Sequence, residues 1–116
     1  PEVLACQDIV RRVPVAENVT SYAVRLVRAT RAGTPDESRT AAEFLAWGAG
    51  PRAAQFLVRG AKARALLDGR PTPAIEDVRR LAHPVLRHRL VANFHAEAEG
   101  VTKDALIDRI LEEVRA

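Results

Sequence analysis

The residues of this chain best suited to chemistry lie in one short run, Gly48-Ala49-Gly50-Pro51-Arg52-Ala53. Two glycines and a proline interrupt whatever precedes them. Proline suits the first position of a helix, where an N–H would have no intrahelical partner. A helix is therefore expected to begin at Pro51. Its free N–H groups and the positive end of its dipole favour an anion, and Arg52 in the first turn adds a planar charged fork that matches phosphate. The implied chemistry is phosphate recognition, with Gly48, Gly50, Pro51 and Arg52 as the candidate site. Gln55, Arg59 and Lys62 continue the face of Arg52, which makes Gln55 and Arg59 secondary candidates.

Other chemistries lack their residues. No Gly-x4-Gly-Lys-Ser/Thr loop and no apolar strand ending in paired acids is present, so this stretch is not expected to hold ATP with its metal or to hydrolyse it alone. No residue is identified as catalytic. His83, His88 and His95 have no accompanying cluster of thiolates or carboxylates at ligand spacing, and no metal site is expected. The single Cys6 allows no internal disulfide and reads as a buried, inert thiol. No secretory leader pattern and no apolar run of the ~20 residues that span a bilayer occurs, which points to the cytoplasm. The absence of methionine reads as the mark of a piece of a longer protein.

The net charge of +3 comes from arginines scattered along the chain. That balance suits a polyanionic partner: nucleotide phosphates, nucleic acid or an acidic neighbouring subunit. A basic helical nucleic-acid-binding module using Arg25, Arg28 and Arg31 is one alternative, and a purely structural interaction domain another. The first is disfavoured because acidic residues nearly balance the basic ones and no glycine-spaced helix-turn-helix is present.

The elements that must position the site follow from periodicity. With 47% hydrophobic residues but only three Phe, one Trp and one Tyr, the core is aliphatic, which favours packed helices. A helix is expected over Pro1–Val13, with Val3, Cys6, Val10 and Val13 on one face and Pro14 as its stop. A second covers Glu17–Arg31, burying Val19, Tyr22, Ala23, Leu26 and Thr30 and presenting Arg25, Arg28 and Arg31. Residues 32–46 read as a polar, turn-rich loop, followed by a packing anchor at Trp47. The site helix runs from Pro51 to Leu67 with Ala53, Phe56, Leu57, Gly60, Ala63 and Leu67 inward. A fourth helix starts at Thr72-Pro73, buries Ile75, Val78 and Leu81, and breaks or kinks at Pro84. Residues 91–95 read as a short extended piece and 97–100 as a polar turn. A last helix runs from Thr102 to Arg115, with an acidic outer face of Asp104, Asp108, Glu112 and Glu113.

Four landmarks occur in order: Tyr22-Ala23-Val24-Arg25-Leu26-Val27-Arg28-Ala29-Thr30-Arg31, then Gly48 to Ala53, then Gly69-Arg70-Pro71-Thr72-Pro73 with Asp77-Val78, then Val85-Leu86-Arg87-His88-Arg89-Leu90. Together they resemble the C-terminal helical lid of MoxR-type AAA+ ATPases, from Tyr22 to Leu90. The resemblance implies an all-α fold, a small bundle of four to five helices of the AAA+ lid type with a short extended segment. It implies a helix over 1–16 linking from a nucleotide-binding core that lies outside this stretch, and a lid over 17–116. Arg52 matches the arginine called sensor 2, which contacts the terminal phosphate of ATP; Gly50 stands where the family often has serine. Arg89 sits in the fourth landmark, where it could reach a neighbouring subunit, while His88 reads as structural. ATP with magnesium, a ring expected to be a hexamer, chaperone-like maturation of other proteins and partners with a von Willebrand A domain are further implications of the resemblance.

Overall fold

A computed structural model describes residues 2–115, without the side chains of Glu2 and Cys6; the expectation for Cys6 therefore lies outside what is described. In chain order the elements are α1 Glu2–Arg12, α2 Glu17–Ala29, α3 Arg39–Phe44, β1 Leu45–Trp47, α4 Pro51–Leu67, α5 Ile75–Leu86, β2 Val91–Ala92, α6 Phe94–Glu99 and α7 Lys103–Glu113. The all-α class is as expected. The helices described number seven because two short ones, α3 and α6, lie where the sequence reads as loop and turn.

Strong periodicity produces the long elements. The stripe Val19, Tyr22, Ala23, Leu26 and Thr30 of α2 is buried throughout. Thr102 caps α7 by accepting from the Ala105 N–H at 3.2 Å, and Leu106, Ile107, Ile110 and Leu111 point inward. Each such Leu or Ile contributes roughly 2 kcal/mol through burial. α4 has the expected limits. Past its end, Gly69 turns the chain at φ +74°, where a side chain would be strained.

Several local expectations are corrected. The buried stripe of α4 is Ala53, Leu57, Ala61 and Ala65, a strict four-residue ridge, while Phe56 and Leu67 are exposed. The three alanines of this ridge let α2 and α5 approach α4 closely. At Gly60, an added Cβ would stand 2.8 Å from Leu81 Cδ1, so the missing side chain admits its neighbour. α5 starts at Ile75 rather than Thr72: the Thr72 hydroxyl instead donates to the Pro14 carbonyl at 2.8 Å, and Asp77 caps the helix by accepting from the Ala74 N–H at 2.7 Å. Nor does Pro84 break α5, which runs through it to Leu86. The proline is exposed on the side of α5 that faces the α1 groove, and the last turn still closes with Arg87 N–H on the His83 carbonyl at 2.9 Å.

The stretch 32–46 also holds more structure than a loop. Ser38 caps α3 by accepting from the Ala41 N–H at 3.0 Å, and the chain then enters β1. This strand pairs antiparallel with β2, Leu45 opposite Ala92 and Trp47 opposite Val91. Phe44 and Leu45 are buried, but Trp47 is 72% exposed and anchors nothing. Asn93 caps α6 at the Ala96 N–H, which replaces the expected turn at 97–100 with a helical one ending at Gly100.

Tyr22, Leu26, Leu57, Leu86, Leu90, Leu106, Ile107 and Ile110 form the centre of the core. α1 stands apart from it and leans on α4, with Val3, Leu4 and Ile9 exposed.

Candidate functional site

The start of α4 is held by the end of α2. Thr30, fully buried, donates its hydroxyl proton to the Val27 carbonyl at 2.6 Å and accepts the Ala49 N–H at 3.0 Å. Arg31 donates from Nε to the Ala49 carbonyl at 3.0 Å. Gly48 lies so close that an added Cβ would collide with the Thr30 carbonyl and stand 2.8 Å from the Arg31 Cα. Glycine is required here by contact, since its φ is not positive. Gly50 differs: nothing lies within 4 Å of where its Cβ would be, and its φ of −82° and ψ of 178° suit any residue at a helix N-cap.

Pro51 then occupies the first helical position, as the sequence predicts. Arg52, the next residue, is exposed, and no hydrogen bond or ion pair within the described residues engages its guanidinium. A free cation on a fixed helix start can receive an anion without first breaking an internal pair.

The other candidates spread along the same side. Gln55 and Arg59 are exposed and flank one small cleft beside α2. Arg59 also lines a larger groove of about 1000 Å³ between α1, α4 and α5, as does Arg89. Arg89 is held in place, with its guanidinium 4.7 Å from the Phe56 ring centroid and NH1 donating to the Val85 carbonyl at 2.9 Å. Arg52 lines neither cavity. His88 is exposed, so the structural role read for it has no packing to support it.

Two of the three arginines read on the α2 face are engaged within the fold, while Arg28 is exposed. Arg31 holds Ala49, and Arg25 lies over the Tyr22 ring and donates to the Arg115 carbonyl at 2.9 Å. Part of the acidic face of α7 is matched within the fold: Asp104 accepts from Arg87 Nε at 2.9 Å, and His83 lies 3.2 Å from Asp104 and 2.8 Å from Asp108. The hydrogen bond from Arg87, then that of His83, holds the Asp104 carboxyl below its ordinary range. No group of three or more His, Cys, Asp or Glu residues positioned for a metal occurs within the described residues.

Two features of the site and its support escape a linear reading. Thr30 and Arg31 lie eighteen or more positions from Ala49; the only signal was a threonine on an otherwise apolar stripe. Asp77 is buried, and Arg70 grips it bidentately at 2.7 Å on each oxygen, with Arg64 at 3.3 Å. The Arg70 contact drives its carboxyl far below the usual range. Asp77 is thereby a structural anchor between the Gly69-Arg70 turn and α5.

The sequence pattern of the AAA lid domain family matches residues 37–110, which include β1, the Gly48–Arg52 run and all of α4 and α5. Over 119 aligned residues the chain is 32% identical to Chaperone MoxR1 of Mycobacterium tuberculosis, spanning 97% of this chain. It belongs to the AAA lid domains of the MoxR type. The lid is also 36% identical over 81 residues to Protein MoxR of Paracoccus denitrificans, covering 70% of this chain and 23% of that protein. A crystal structure of a Cytophaga hutchinsonii protein assigned as an ATPase superposes on 91% of the lid with a TM-score of 0.82 at 36% identity. The lid spans about a third of that chain and of MoxR1, 32% in each case. No helix in the described residues is long and apolar enough to cross a membrane.

Proposed function

We propose that this lid works as part of a longer AAA+ ATPase, in which residues 1–16 link from a nucleotide-binding core and residues 17–116 form the lid proper. The lid reports on nucleotide held by that core. Arg52 is the sensor: its fork binds the terminal phosphate of ATP, and the loss of that phosphate on hydrolysis releases the lid. The observation that carries this reading is an exposed arginine without an internal partner in the first turn of α4, on a start clamped to α2. Gly48, Gly50 and Pro51 shape that start. Gln55, Arg59 and Arg89 extend the cationic face toward the nucleotide or a neighbouring subunit.

ATP with magnesium fits this division of labour. The lid supplies the Arg52 cation at a helix start, which suits a phosphate, and its described residues include no cluster placed to hold the metal. Magnesium and the phosphate loop belong to the core, and the bound metal there neutralises charge at the reacting phosphate. A single charge-assisted contact from Arg52 is worth roughly 1.5 to 3 kcal/mol, enough to bias a hinge. In the assembled protein the lids act in a cytoplasmic ring, a hexamer, that remodels or matures partner proteins, with von Willebrand A domain proteins as the partner class.

Replacing Arg52 by Ala in the longer protein should lower ATP turnover by roughly tenfold or more, since a contact of this strength is lost. Arg52→Lys should recover only part of it, because an ammonium cannot form the bidentate fork. Turnover unchanged in both variants would remove Arg52 from the mechanism. Nucleic-acid binding has little support, with Arg25 and Arg31 committed inside the fold.

A further inference from the structure

We propose that Thr30 and Arg31 are positioning residues for Arg52, so that the response to phosphate depends on the end of α2; the inference rests on the sensing role proposed above for Arg52. Both backbone polar groups of Ala49 are taken by the two consecutive residues that follow α2. The Thr30 hydroxyl accepts its N–H at 3.0 Å and Arg31 Nε donates to its carbonyl at 3.0 Å. The hydroxyl cannot rotate away, because its proton is committed to the Val27 carbonyl at 2.6 Å. Gly48 packs backbone to backbone against Thr30, with no room for even a Cβ.

Three contacts therefore fix residues 48 and 49, and Pro51 fixes its own φ. Gly50, with open space around it, is the one loose joint between the clamp and the arginine. Without the clamp, the buried Ala49 N–H would lose its partner and the first turn of α4 would swing about Gly50. A reacting group displaced by ~1 Å can lose much of its effect on rate. Neither Thr30 nor Arg31 needs to touch nucleotide. Their identity in the first landmark follows from what they hold in the second.

The test is a double-mutant cycle on ATP turnover in the longer protein. Thr30→Val removes the hydroxyl at nearly constant volume, and kcat/KM should fall about tenfold. Thr30→Ser keeps the hydroxyl and should restore activity to within about twofold. In an Arg52→Ala background, Thr30→Val should cost almost nothing further, because the residue it positions is gone. A merely structural threonine would cost the same factor in both backgrounds, and that result overturns the proposal. So does full activity of Thr30→Val beside an impaired Arg52→Ala. Should Thr30→Val fail to fold, Arg31→Gln carries the test from a half-buried position, with about a threefold loss expected in wild type and none in the Arg52→Ala background; equal losses overturn the proposal. If Arg52→Ala alone leaves turnover intact, the sensing role fails first and this inference with it.

Discussion

Asp77 shows how much a single side chain carries in an otherwise apolar fold. Its two oxygens take Arg70 at 2.7 Å each, and one of them also takes the Ala74 N–H at 2.7 Å. Truncation leaves Arg70 only its bond to Asp68 and frees the start of α5, so Asp77→Ala should cost about 3 kcal/mol in urea unfolding at neutral pH. Because the folded pKa lies below the unfolded value of about 4, the contribution is complete above that pH. It drains away as pH falls beneath it, and the variant should show a flatter acid limb than wild type. An equally steep limb in both would assign the acid sensitivity elsewhere. The two site glycines should separate as cleanly. Gly48→Ala drives a methyl into the Thr30 carbonyl and should cost roughly 2 to 3 kcal/mol. Gly50→Ser enters open space and can accept from the Ala53 N–H, so thermal melting should find it neutral or more stable by a few tenths, on the order of 0.3 kcal/mol.

At the level of elements, α5 is the departure from simple rules. Pro84 within it leaves the Arg80 carbonyl without a helical donor, yet the helix continues because its inner residues Val78, Ala82 and Leu86 are fully buried. Pro84→Ala should therefore raise the melting temperature by several degrees, through a gain of about 1 kcal/mol or more; a fall would mean that the ring's packing in the α1 groove outweighs the missing bond. The same case marks what could be read from sequence. α2, α4 and α7 were legible because long apolar stripes coincide with clear caps at Pro51 and Thr102. The exposed placing of Arg52 was legible because it lies off the stripe. What escaped was decided by tertiary contact: the four-residue ridge of α4, chosen by close packing of two neighbours; β1, which exists only because residues 91–92 pair with it; and the clamp, whose partners are far apart in the chain. Short helices such as α3 and α6 escape too, since six residues carry too little period to be seen.

As a whole, the molecule is an aliphatic bundle extended by α1 to 47 × 27 × 21 Å. Several of its basic and acidic side chains answer one another across α5 and α7, whereas Arg52 is exposed and without an internal partner among the described residues. The bundle is closed by a bond between distant parts of the chain. The Tyr22 hydroxyl donates to the Val114 carbonyl at 3.1 Å and in turn accepts from Arg79 at 2.8 Å, joining residues 92 positions apart. During synthesis at about 5–20 residues per second, α2 emerges early but lacks its final partner until the segment around Val114 has cleared the ribosome. For several seconds the nascent α2 thus has α4 and α5 to pack against but not the segment that closes the bundle, and the Tyr22 hydroxyl proton has no native acceptor until that segment arrives.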